Sequence, residues 1–171
     1  MVKMVSFVAK SCTGKTTILE KVIVELKSRG YRVGAFKHDA HKFYIDHPGK
    51  DSYRLTAAGA DTMVISSSEK LAMVKMHNQS LPIEELIDRY FYDMDIVLTE
   101  GFKKLGFPKI EVHRKERSHE LLCRGNDKEP TLVAVVSNDA LHLDVPVFDI
   151  NDAKGIADFL EERFLRSSLV S

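Results

Sequence analysis

The 171-residue chain is long enough for one compact domain and short for two, and folding at this length buries about 70% of the unfolded surface without a staple. Its 44% hydrophobic and 29% charged residues, with nine Gly and five Pro, exclude a disordered chain. The 25 Lys and Arg offset 25 Asp and Glu, which argues against a nucleic-acid coat or a polybasic membrane anchor.

Two cysteines, Cys12 and Cys123, are too few for a disulfide framework or a Cys-based zinc site. The opening MVKMVSFVAK carries too short an apolar run for a signal segment, and no stretch nears the ~18 apolar residues of a membrane span. A cytoplasmic protein without membrane or nucleic-acid partners is expected.

Short apolar stretches alternate with helical patterns, which predicts an α/β fold: a doubly wound, mostly parallel sheet in one domain, residues 1–171. Val5 to Val8 reads as the first strand. From Lys15 to Arg29, Ile18, Leu19, Val22, Ile23 and Leu26 mark one face of a helix, and Gly30 stands where a left-handed cap belongs. Arg32 to Lys37 reads as a strand, as does Thr62 to Ser66, with Leu71 to Lys75 as its hairpin partner. Ser80 or Leu81 opens a helix with Pro82 in its first turn and Ile83, Leu86, Ile87, Tyr90 and Phe91 facing inward. Strands are then expected at Ile96–Thr99, Lys109–Val112, Leu132–Val136 and Val147–Ile150. A closing helix capped by Asn151 or Asp152 buries Ile156, Phe159, Leu160 and Phe164.

The sharpest motif lies between the first strand and the first helix. Ala9-Lys10-Ser11-Cys12-Thr13-Gly14-Lys15-Thr16 matches G-x-x-x-x-G-K-[ST], a P-loop, except that Ala9 replaces the first glycine. Such a loop turns successive backbone N–H groups inward at the positive end of a helix and so cradles phosphate. Ser11, Cys12, Thr13, Gly14, Lys15, Thr16 and Thr17 are therefore candidate nucleotide-binding residues. Lys15 reaches the β- and γ-phosphates, and the Thr16 hydroxyl ligates Mg²⁺.

In an open parallel sheet the ligand lies beyond the carboxyl ends of the strands. Glu100 leaves its strand at that rim and Asp95 at the other, so Glu100 is the candidate to polarise a magnesium-bound water. After the second strand come His38, Asp39, His41, Asp46, His47, Lys50 and Asp51. Three roles are open to this segment: a switch with Asp39 or Asp46 in the metal's outer shell and Lys37 or Lys50 on phosphate, a transition-metal site through His38, His41 and His47, or a solvated loop. Asn138 and Asp139 end the strand Leu132–Val136, where a carboxylate can accept guanine N1–H and the 2-amino group. Asp149 and Asp152 form a second candidate wall for the base. Asn-Asp is also a common turn pair, and adenine stays open.

The loop AKSCTGKTT, the segment KHDAHKFYIDHPGKDSYR with AAGAD, the strand end LTEGFK, and PKIEVHR together resemble the MobB family, from Val2 to about Leu165. These are P-loop GTP-binding proteins associated with molybdopterin guanine dinucleotide synthesis. The resemblance implies a P-loop NTPase fold with a small hairpin extension, GTP with Mg²⁺, a homodimer and weak hydrolysis. It also implies an adaptor role beside the molybdenum-cofactor guanylyltransferase that joins GMP to molybdopterin. On that resemblance, Lys15, Glu100 and Asp39 take catalytic roles and Thr16, Glu100 and Asp46 the metal. His38, Asp39, Asp46, Gly49, Lys50, Asp51, Ser52 and Arg54 match the family's long loop, while Ala9 departs from its usual glycine. Two other functions compete: a small-molecule kinase, with the basic stretch His113–Arg124 as a lid, and a His-loop metallochaperone. Phe102, Leu105 and Phe107 are candidates, with Leu71–Lys75, for a dimer seam.

Overall fold

The computed structural model describes residues 2–38, 43–124 and 128–166. Contacts divide the chain into two compact units, Met1–His38 with Ile87–Ser171, and Asp39–Leu86.

The first unit holds six strands: β1 (Lys3–Ala9), β2 (Val33–Lys37), β5 (Ile96–Glu100), β6 (Lys109–His113), β7 (Leu132–Ser137) and β8 (Val147–Asp149). Their order is β2-β5-β1-β6-β7-β8, and every neighbouring pair is parallel. Both faces of the sheet are covered, and the strand residues show it: all six of β7 are buried. Val5 and Phe7 of β1 join the core with Ile18, Val22 and Leu26 of α1 (Lys15–Ser28) and with Ile156 and Leu160 of α4 (Ala153–Leu160). Val8, one residue out of phase, joins a second cluster with Cys123, Leu132 and Val135.

Local details follow from single side chains. Gly30, at φ 89°, ends α1 as expected. Asp152, rather than Asn151, caps α4 by accepting the Gly155 N–H at 2.8 Å. Past α4 the chain continues as a π-helical turn, Glu161–Leu165. Gly34 in β2 lets Phe91 pack close, since a Cβ there would stand 2.5 Å from that ring.

The second unit holds α2 (Asp51–Ala57) and the antiparallel hairpin of β3 (Thr62–Ser66) and β4 (Leu71–Lys75), with both strands at the predicted bounds. Sequence periodicity did not announce α2, because none of its residues is buried and it has no apolar face to signal. The helix α3 runs Ile83–Tyr90, beginning after Pro82 rather than at Ser80 or Leu81. Of its expected inward residues Ile87 is buried, whereas Tyr90 is 39% exposed. Among the described residues no helix is long and apolar enough to cross a membrane.

Candidate phosphate-binding site

The loop after β1 leaves the middle of the sheet at its carboxyl edge and enters α1. It encloses a cavity of about 430 Å³, lined by the loop from Ala9 to Thr17 together with Glu100 and Lys103. Cys12 and Gly14 both adopt left-handed backbone, at φ 60° and 85°. Gly14 is the N-cap of α1 and supplies no side chain to it, so no capping side chain takes up the first-turn N–H groups. The result is a concave run of backbone donors at a helix's positive end, suited to an anion.

Glu100 stands opposite. In register, β5 sets Glu100 beside Phe7 of β1 and Lys37 of β2, which brings it to the loop's rim. Its carboxylate lies 3.4 Å from Lys15 Nζ, accepts a hydrogen bond from Thr16 Oγ1 at 3.2 Å, and has Lys37 Nζ at 4.0 Å. Three candidates chosen from sequence therefore converge on one point. Asp95 lies at the other end of β5, where it accepts the Arg32 amide at 2.7 Å. That amide, helped by the Arg32 guanidinium, holds the Asp95 carboxyl below the usual range.

Next to Glu100, the chain turns through Gly101 (φ 111°) and Phe102, a non-glycine residue at φ 53°. The Phe102 ring stacks on His38 at 4.9 Å and meets Phe36 edge-on at 5.1 Å. The half-buried ring buttresses a turn that carries Lys103 to the cavity.

Asn138 and Asp139 follow β7. Asn138 Nδ2 donates to both oxygens of Glu116 at 2.8 and 3.0 Å, and its Oδ1 accepts the Lys115 amide at 3.4 Å. Asp139 pairs with Lys115 Nζ at 3.4 Å. Asp46 belongs to the second unit, where Oδ1 accepts the His47 N–H at 2.8 Å. The Ser52 hydroxyl and the His47 amide hold its carboxyl below the ordinary value. Asp39 and His41 lie outside the described residues. Among those described, no group of three or more His, Cys, Asp or Glu is placed to hold a metal ion.

Sequence reasoning missed three polar residues in and after β6. Arg114 Nε donates to the Thr13 carbonyl at 2.7 Å, and its Nη2 would lie 3.4 Å from a Cβ on Gly14. Glu111, buried in β6, accepts the amides of Leu122 and Cys123. Lys109, also buried, donates to the Leu105 carbonyl at 2.7 Å and to Thr131 Oγ1 at 2.6 Å. Only the apolar alternation of a strand could have flagged them, and charged residues interrupt it. The lid expected over His113–Arg124 is instead tied down at several points, including Arg124 to Asp144 at 3.0 Å.

Residues 4–138 match the family described as molybdopterin guanine dinucleotide synthesis protein B, MobB. The molybdopterin-guanine dinucleotide biosynthesis adapter protein of Escherichia coli K12 is 38% identical over 169 residues, covering 95% of this chain and 93% of that protein. The adapter protein of the same description from Haemophilus influenzae is 36% identical over 152 residues, covering 88% and 83%. A crystal structure of molybdopterin-guanine biosynthesis protein B superposes with a TM-score of 0.74 at 28% identity, over 93% of this chain and 98% of that one. A P-loop between the first strand and first helix of a parallel sheet, and matches of this length and identity, together place this chain in the MobB family, with its P-loop NTPase α/β fold.

Proposed function

We propose that this chain is a cytoplasmic adaptor of molybdopterin guanine dinucleotide synthesis that binds GTP with Mg²⁺ and hydrolyses it slowly. The adapter proteins it resembles support the pathway. The observation that carries the nucleotide is the convergence of the Gly14 nest, Lys15, Thr16 and Glu100 on one cavity.

In this reading the loop's amides and Lys15 hold the β- and γ-phosphates. The Thr16 hydroxyl and the Glu100 carboxylate, 3.2 Å apart, are hard oxygen donors and fit Mg²⁺, which would neutralise phosphate charge. Glu100 orients water at the phosphate end, while Lys15 and Lys37 keep its carboxylate paired. Asn138 with Asp139 is proposed to read guanine. Arg114 is bonded to the loop's own carbonyl, so turnover without a partner's arginine is slow. The exposed apolar side chains of the hairpin support a homodimer, and a guanylyltransferase of the same pathway is the proposed partner.

Calorimetric titration of GTP and ATP with Mg²⁺, repeated on Lys15→Ala, tests the reading. Preference for GTP, abolished by the substitution, supports it. Equal affinity for both nucleotides would overturn the guanine assignment. GTP affinity unchanged by the loss of Lys15 would overturn the phosphate site.

A further inference from the structure

The turn from Arg114 to Ser118 touches both ends of the proposed nucleotide site. At the phosphate end, Arg114 Nε donates to the Thr13 carbonyl at 2.7 Å, and Lys10 Nζ donates to Ser118 Oγ. The Arg114 carbonyl accepts the amides of Arg117 and Ser118 at 2.9 and 3.1 Å, which closes the turn on itself. At the other end, Lys115 holds Asp139 and Glu116 holds Asn138. The strand that leads into the turn, β6, is buried and paired in parallel with β7, His113 opposite Ser137, so the turn is clamped at its root.

The Thr13–Gly14 peptide needs such a clamp. Thr13 is buried, yet its hydroxyl has no hydrogen-bond partner among the described residues. Gly14 sits at φ 85° with nothing but its backbone to hold that conformation. The Arg114 bond to the Thr13 carbonyl is thus the side-chain contact that orients the peptide whose N–H belongs to the anion nest.

We propose that the Arg114–Ser118 turn is a strap that preorganises the phosphate loop, with Arg114 as a positioning residue and Glu116–Asn138 as its distal anchor. The proposal rests on the phosphate-site reading above. It predicts that loosening the anchor weakens phosphate binding even for a ligand without a base.

Inorganic tripolyphosphate with Mg²⁺ is the probe, because it cannot engage a base-reading residue. Asn138→Ala, which changes no charge, is expected to lower its affinity about three- to tenfold. Arg114→Met should lower it at least as much, and the double variant should lose less than the product of the two. Charge alone makes the opposite forecast for Glu116→Ala: removing an anion near an anion site would tighten binding, whereas the strap requires weakening. Hydrogen exchange at the Gly14 to Thr17 amides should quicken in Asn138→Ala while global unfolding is unchanged. Should Asn138→Ala fail to fold, Glu116→Gln carries the same readouts.

Tripolyphosphate affinity and loop exchange both unchanged in the anchor variants would overturn the strap, as would simple multiplication of the two single effects. A wild-type protein that does not bind tripolyphosphate would overturn the phosphate-site reading instead. The exchange rates would then still decide whether the anchor orders the loop.

Discussion

The two sheets of this chain solve the same problem differently. In the parallel sheet, Ile96 to Thr99 and all of β6 and β7 are buried, and its polar members, Lys109 and Glu111, are bonded internally. In the hairpin, Val64, Ile65, Leu71 and Met76 are 52–66% exposed, and Met63 is the one strand residue fully withdrawn from solvent. A two-stranded ribbon is at best marginally stable alone, and its exposed apolar side chains lie on both faces, Val64 and Leu71 on one and Ile65 on the other. The lesson is that the parallel sheet is completed by its own helices, whereas the hairpin keeps apolar side chains on its surface, which is why it carries the proposed homodimer contact.

The sharpest break of this contrast is chemical. Replacing Lys109 with Ala takes the ammonium from the Leu105 carbonyl and Thr131 Oγ1 and from the Glu129 carboxylate 3.4 Å away, which Thr131 still holds at 2.8 Å. The expected cost is about 1–3 kcal/mol in urea unfolding, the range for leaving a buried polar group unsatisfied. An effect under about 1 kcal/mol would show that the sheet's charged interior is dispensable. Next, Lys15→Ala should lower GTP affinity by about two orders of magnitude in calorimetry, with stability little changed, because the residue serves the site and not the core.

A charge on the hairpin sharpens the comparison from its other side. Leu71→Asp should raise the dissociation constant of the proposed dimer about tenfold or more in sedimentation, with the unfolding free energy of the dissociated protein held within about 0.5 kcal/mol. Unchanged association would remove the hairpin from the interface.

A smaller effect comes with pH. Arg29 and then Tyr31 hold the Glu161 carboxyl below its ordinary range, at 2.7 and 3.0 Å. A lowered folded value means this contribution is complete above the unfolded value near pH 4.5 and fades as pH falls through the folded one. Glu161→Gln should therefore flatten the acid limb of the stability profile.

The smallest effect concerns the thiols. Burial, aided by Glu111, pushes the Cys123 thiol up to about 12, whereas Cys12 is exposed. Iodoacetamide at pH 8 should label Cys12 alone until the protein unfolds, as peptide mass mapping would show.

What could be read from the chain follows the range of the forces involved. Strand bounds at Thr62–Ser66 and Leu71–Lys75, the burial of Leu132–Val136 and the loop Ala9–Thr16 are written in neighbouring residues, where period and spacing carry the signal. Glu100 was legible as well, because parallel strands send their carboxyl ends to one rim. The helix Asp51–Ala57 was not, since an exposed helix has no apolar stripe. Nor was the Phe102 ring's place against His38 and Phe36, because nothing local distinguishes a buttress from a free aromatic.

By itself, then, the sequence determined the parallel α/β class, the phosphate loop and its opposing carboxylate, since these depend on periodicity and on chain direction. Only the tertiary structure decided that Arg114 grips Thr13, that Glu116 holds Asn138, and that Lys109 and Glu111 lie buried. Arg114 and Thr13 are separated by a hundred residues of chain, and hydrogen bonds are satisfied by proximity in space, which no local pattern encodes.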